Sequence, residues 1–178
     1  MRQELNRNLG MKALSLLDEK LAAAGMSQIK VIIGGGGSMM ICHGYDGQTR
    51  DIDAIPLGID FETVKPFIAE VAKELNIDED WFNPHFQSFT LYLDEDAKDR
   101  YEKVFTGKVI AAYSLGAEDI LIMKFMAGRP KDMSHINFLL RRKQISLESI
   151  EKRLIELEAI FPKEATRALE LFYDKTEE

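Results

Sequence analysis

Cysteine is nearly absent. Cys42 is the single one in 178 residues, which excludes an intramolecular disulfide and a zinc site built from cysteines, and fits a reducing compartment such as the cytosol. Long apolar runs are missing too. Even Ile120–Ala127 is broken by Lys124, so no segment has the length to span a membrane and no membrane partner is expected. The start, Met1-Arg2-Gln3-Glu4, is polar and mixed in charge, without the apolar core of a secretory signal. Positive charge is in the minority, 23 Lys and Arg against 30 Asp and Glu, net −7. That argues against broad non-specific nucleic-acid binding and leaves room only for local basic patches. His43 and His85 lack metal-ligand spacing to each other and read as structural, as does Cys42. There is no repeat, low-complexity tract or long linker. What remains, 46% hydrophobic and 30% charged, is an ordinary soluble chain able to bury a core, as one domain or one with an appended subdomain.

The patterning alternates between strand and helix. Residues 4–24 read as an amphipathic helix, with Leu9, Ala13, Leu17, Leu21 and Ala24 near one face and Gly25 as its stop. Ile29–Ile33 is a β-branched strand that runs into four glycines, and Ser38–His43 reads as a short helix. Gly44–Arg50 is a loop, and Asp51–Ile55 is a strand closed by Pro56. Asp60 caps a helix over 61–75. Residues 76–100 give no clear period; their aromatics belong to the core. Tyr101–Phe105 and Val109–Tyr113 form a hairpin about Thr106-Gly107-Lys108. Helices follow near 117–127, 132–142, 146–159 and 163–174, with Pro162 suited to a first turn. The fold expected is α/β (α+β), a small mixed sheet flanked by helices. Residues 1–113 form the α/β core, and 114–178 form a helical C-terminal region packed on it.

Two features carry chemistry. Interior glycine costs roughly 0.5–1 kcal/mol relative to alanine, so Gly34-Gly35-Gly36-Gly37 needs a reason. One is a turn whose amides face an anion at a helix start, with Gly36, Gly37 and Ser38 as the binding residues. The other is a tight strand-to-helix turn under packing pressure. The third glycine of a dinucleotide fingerprint is missing, and no Gly-Lys-Ser/Thr follows. Asp51 and Asp53, two apart on a strand, project to one face, roughly 6–7 Å apart. They repel by about 2 kcal/mol at an effective dielectric of 20. A divalent cation between them removes that cost, and on a solvated edge water does the same.

Gly-Ser, a gap of a dozen residues, then Asp-hydrophobic-Asp resembles the signature of the DNA polymerase β-like nucleotidyltransferase superfamily. Asp119-Ile120-Leu121-Ile122-Met123-Lys124 and Gly128-Arg129-Pro130-Lys131-Asp132 sharpen the likeness toward a small bacterial branch. That branch includes toxins of abortive-infection and toxin–antitoxin systems. The likeness covers roughly residues 28–142. It implies the minimal nucleotidyltransferase fold and transfer of NMP from an NTP to a hydroxyl of RNA, protein or a small molecule. It further implies Mg²⁺ or Mn²⁺ on Asp51 and Asp53, triphosphate on Gly37 and Ser38, and Lys124 against pyrophosphate. Asp132 stands at the active-site aspartate of those toxins, and a cognate protein partner belongs to such systems. Arg50 is expected to offset phosphate charge, with a solvated loop position as the alternative.

On the residues alone, Lys124 among Ile122, Met123, Phe125 and Met126 must reach a carboxylate, a phosphate or water. Asp132 at a helix start has a plain N-cap as its alternative. Arg141-Arg142-Lys143 suits a helix C-terminus or an acceptor's docking. Two departures from the resembled pattern stand out. A third carboxylate from a later strand is not evident; Glu102 is the candidate by strand position, with Asp94 and Asp96 less ordered. His135 stands where a second acidic or amide residue is usual. The competing reading is therefore a degenerate binding module or toxin–antitoxin partner on the same fold. A dimerisation domain, with Ile150, Leu154, Leu157 and Phe161 as its seam, is a third.

Overall fold

The computed structural model describes residues 2–177. Among these lie seven α-helices and five strands. In chain order they are α1 (Arg7–Ala23), β1 (Ile29–Ile33), α2 (Gly35–Ile41), β2 (Ile52–Leu57), α3 (Phe61–Leu75), β3 (Phe82–Asn83), β4 (Glu102–Thr106), β5 (Ile110–Ser114), α4 (Ala117–Ala127), α5 (Met133–Leu140), α6 (Leu147–Glu158) and α7 (Pro162–Thr176). Two stretches of 3-10 turns, His85–Tyr92 and Glu95–Arg100, fill the region without a readable period.

Caps explain where the long helices begin. Asn6 Oδ1 accepts from Leu9 N at 2.9 Å, so α1 starts at Arg7, three residues later than the helix expected over 4–24. Asp60 Oδ1 accepts from Glu62 N at 3.0 Å and opens α3. Leu5, ahead of α1, is buried and pairs instead with Thr49.

The sheet is mixed, in the order β3-β2-β1-β5-β4. The central β1 pairs antiparallel with β2 and parallel with β5. Its side chains are buried at Ile29, Val31, Ile32 and Ile33, as a strand covered on both faces requires. The strand expected to close before Pro56 runs through it to Leu57, with Pro56 opposite Val31. β3 pairs only at Ile52 and Asp53. Proline's missing N–H therefore costs no ladder bond on that side. Leu14, Leu17 and Leu21 of α1, Val64, Ile68 and Val71 of α3, and Trp81 share one core with the sheet. Trp81 Nε1 donates to Ile68 O at 3.0 Å, which satisfies the one polar atom of a fully buried ring.

Asp18 of α1 organises the β4–β5 turn. Its carboxylate accepts from the amides of Lys108, Val109 and Ile110 at 2.9, 2.8 and 2.7 Å. Burial acts to raise its pKa, but these amides, Ile110's foremost, outweigh it and hold the group below the usual carboxylate value. Gly107 leaves room for this, since a β-carbon there would overlap the carboxylate.

The chain forms two compact units. One takes the residues up to Ser88 with Arg100–Leu115; the other takes Phe89–Asp99 with the residues from Gly116 onward. The first holds the sheet with α1–α3. In the second, α4 is buried from Asp119 through Met126 and is packed by α6 and α7. Phe89–Asp99, assigned to the α/β part by the sequence reading, goes with the helices. Arg153 of α6 donates to Tyr92 O through Nε and Nη2 at 3.1 and 3.0 Å, and Phe161 stacks edge-on against Tyr92. Ile150, Leu154 and Leu157 are fully buried in this unit, whereas Phe161 is half-buried. None of the three leucine and isoleucine side chains is left for an exposed dimer seam.

Candidate functional site

The glycine run begins where β1 ends. Gly34 N donates to Asp53 O at 2.9 Å, extending the β1–β2 ladder by one bond and seating the turn beside Asp53. Gly35 has φ +54°, in the region that favours glycine. A β-carbon there would overlap Asp53 Oδ2 and lie 2.9 Å from Asp53 Cγ. Close packing demands two of its neighbours as well. A β-carbon on Gly34 would sit 2.7 Å from the Phe86 ring, and one on Gly37 would sit 3.0 Å from Ile52 Cγ2. The helix that follows starts at Gly35, three residues earlier than the Ser38–His43 expected from propensity. Its first turn is glycine, and the amides of Gly35, Gly36 and Gly37 have no acceptor within the helix. Gly35 and Gly36 are half-exposed.

Asp51 and Asp53 alternate with buried Ile52 and Ala54, and both are half-buried. They lie on the same side of the strand, as their spacing requires. Asp51 Oδ1 accepts from Thr49 Oγ1 at 3.4 Å, and its Oδ2 accepts from Asn83 Nδ2 at 3.2 Å. Asn83 is opposite Asp53 in the β2–β3 register. It also donates to Asp80 O at 3.0 Å and accepts from His85 N at 2.9 Å, so its orientation is fixed. Sequence reasoning passed over Asn83, because a two-residue strand carries no periodic signal. Glu102, the candidate third carboxylate, is not beside the pair. It stands on β4, with β1 and β5 between it and β2, and its oxygens face Cys42 and His43.

Ser38 is fully buried, and its hydroxyl donates to Ser114 Oγ, which in turn donates to Leu115 O at 3.0 Å. Its amide bonds to Gly34 O at 3.0 Å inside the helix. The hydroxyl thus ties α2 to the end of β5, and the outward face of the turn is backbone. Arg50 is exposed and pairs with Asp78 at 3.3 Å, joined there by Arg2 at 3.6 Å.

In the helical unit, Lys124 and Asp132 are both buried, with Lys124 Nζ donating to Asp132 Oδ1 at 2.7 Å. Arg129 Nε donates to Asp132 Oδ2 at 2.7 Å while its guanidinium lies over the Phe89 ring. Burial acts to raise the Asp132 pKa; the Arg129 hydrogen bond and the Lys124 charge reverse this and hold it below the ordinary value. Asp132 does not cap α5 with its side chain, so the plain N-cap alternative fails. Instead the carboxylate joins two cations. His135, one turn on, is lowered to about 4 by burial and by Lys124, so it is a neutral imidazole at pH 7.

A family model described as "Nucleotidyltransferase of unknown function (DUF6036)" matches residues 12–178. The chain belongs to this family. The match takes in the glycine turn, the acidic pair and the Lys124–Asp132 cluster alike. No curated protein and no solved structure was found to match the chain. No helix among the described residues is long and apolar enough to cross a membrane.

A nucleotidyltransferase family suggests a nucleotide and, generally, a divalent cation. The donor set on β2 suits a hard one, since two half-exposed carboxylates supply oxygen ligands of the kind Mg²⁺ prefers. The bare backbone of Gly35 against Asp53 leaves the carboxylate edge clear of any side chain at that position. The strand beside the pair contributes Asn83, an amide that donates to Asp51.

Proposed function

We propose that this chain transfers a nucleoside monophosphate from an NTP to a hydroxyl acceptor, with Mg²⁺ or Mn²⁺ held by Asp51 and Asp53. The observation that carries the reading is the contact of the Gly35 backbone with the Asp53 carboxylate, which puts an amide-lined turn and two acids at one place. The amides of Gly35 and Gly36 bind phosphate oxygens, helped by the positive end of α2, while Gly37 is buried against Ile52 and serves the packing of the turn. Ser38 contributes by locking the helix to Ser114 rather than by touching phosphate. Asn83 orients Asp51. When bound, the cation neutralises triphosphate charge and activates the acceptor oxygen. The acceptor oxygen attacks the α-phosphorus and pyrophosphate leaves. Lys124 and Asp132 stay in the proposal as functional residues of the helical unit, with Asp132 holding Lys124 and Arg129 as one charged group.

The test is thermal stability with each MgNTP. A nucleotide at about 100 times its dissociation constant adds roughly 2.7 kcal/mol, and the shift should vanish in Asp51→Ala and Asp53→Ala. No shift with any of the four nucleotides would refute nucleotide binding.

The separation of Glu102 from the acidic pair favours a second reading, a nucleotide-binding module on the same fold that has given up turnover. It retains the MgNTP shift but shows no label transfer from an α-labelled NTP to RNA or protein.

A further inference from the structure

A second cluster of metal-ligating groups lies apart from the acidic pair, at the far end of α2. Cys42 caps that helix, His43 follows it, and Glu102 opens β4. One ligand atom from each lies within 4.8 Å of the other two. Cys42 Sγ is 3.4 Å from Glu102 Oε2, and His43 Nδ1 is 3.9 Å from Glu102 Oε1. We propose that Cys42, His43 and Glu102 form a site for a borderline-soft divalent cation of the Zn²⁺ class, distinct from the hard-cation site on β2.

The imidazole is already set for this. His43 is 3% exposed, and its Nε2 lies 2.9 Å from Leu115 O. A carbonyl oxygen only accepts, so Nε2 carries the hydrogen. In the neutral ring the lone pair is then on Nδ1, the nitrogen that faces Glu102. Leu115 O also accepts from Ser114 Oγ, and Leu115 N donates to Ile33 O, so this carbonyl is held by the sheet. A ligating histidine whose other nitrogen is bonded to a backbone carbonyl is the usual outer support of a metal site.

The donor types decide the ion. A thiolate, an imidazole and a carboxylate suit Zn²⁺ and its neighbours, whereas Mg²⁺ takes oxygen. Bonds of roughly 2.0–2.3 Å in a tetrahedron need neighbouring ligand atoms roughly 3.3–3.8 Å apart. Cys42 Sγ and Glu102 Oε2 already lie in that range, His43 Nδ1 lies just beyond it from the other carboxylate oxygen, and the three ligand atoms, all within 4.8 Å of one another, draw together when an ion binds. On binding, the Cys42 thiol releases its proton to solvent, and three protein ligands leave a fourth position for water. The site cannot share an ion with Asp51 and Asp53. Three inter-strand steps separate β4 from β2, roughly 14 Å at about 4.8 Å each. An ion here clips the end of α2 to β4, elements sixty residues apart in sequence, and so steadies the helix that begins at the glycine turn.

The test is a Co²⁺ titration of the metal-stripped full chain in Mg²⁺ buffer, read by absorbance. The parent should show a thiolate-to-cobalt charge-transfer band that saturates at one equivalent and is bleached by Zn²⁺. Cys42→Ser should lose the band, Glu102→Gln should bind at least about tenfold more weakly, and Asp51→Ala/Asp53→Ala should keep it. No band in the parent, a band that survives Cys42→Ser, unchanged affinity in Glu102→Gln, or loss of the band in the β2 double variant would each overturn the assignment.

Discussion

The backbone of Gly35 lies against the carboxylate of Asp53, closer than any side chain would permit. The positive φ of Gly35 and this contact are separate costs to a substitution, and they can be told apart. Gly44 also has positive φ, at +70°, but open space where a β-carbon would go. Gly44→Ala should cost about 1 kcal/mol of strain alone. Gly35→Ala should cost about 1–3 kcal/mol more, because Asp53 must move, and should also abolish any MgNTP-induced rise in Tm. Equal destabilisation of the two variants in urea would mean that Asp53 yields freely.

The buried Lys124–Asp132 pair predicts non-additive stability. Breaking such a pair by removing one partner costs about 3–5 kcal/mol. Lys124→Met and Asp132→Asn should each fall in that range. The double variant should be less destabilised than their sum by about 0.5–3 kcal/mol. Additive losses in chemical denaturation would argue against direct coupling.

Asp18 ties α1 to the β4–β5 turn through three amides, and hydrogen bonds to a charged acceptor are worth about 1.5–3 kcal/mol. Asp18→Asn keeps the shape but only one acceptor oxygen, and should lose about 2–3 kcal/mol at neutral pH. The folded pKa lies below the unfolded value near 3.8. The contribution is therefore complete above that value and disappears as pH falls through the folded pKa. Parent and variant stabilities should converge below about pH 4; a constant gap down to pH 2 would contradict this role.

His135 predicts a second acid-sensitive range. Its folded pKa of about 4 lies below the ordinary 6.5, so between those values the unfolded chain binds the proton more readily. Stability should fall as pH drops from 6.5 toward 4, and His135→Asn should flatten that part of the curve. Parallel curves for parent and variant would show that the imidazole protonates without hindrance.

Most of the scaffold was legible because side-chain period and caps agree with it. β1 falls where its β-branched run puts it, α3 where its apolar stripe and Asp60 cap put it, the β4–β5 hairpin about its Gly107 turn, and α4 on its apolar run. The glycine helix was misplaced because glycine has poor helix propensity, and only packing on Ile52 and Asp53 explains its start at Gly35. Residues 85–100 were opaque for a similar reason: short 3-10 turns have no two-faced pattern, and Phe86 is placed by its fit to Gly34. At the site, the glycine turn and the acids stand out as motifs. Three other roles depend on contacts between residues distant in sequence, and no spacing rule reaches them. These are Asn83 beside Asp51, the inward hydroxyl of Ser38, and Glu102 against Cys42 and His43.

The most direct test of the account is transfer of label from α-labelled NTP, with Mg²⁺ or Mn²⁺, to RNA, protein and small hydroxyl acceptors. The parent should label one acceptor class. Asp51→Asn and Asp53→Asn, which keep size and remove charge, should each reduce transfer at least about a hundredfold, roughly 2.7 kcal/mol or more at the barrier. Transfer that persists unchanged in both variants would contradict the assignment of chemistry to the acidic pair.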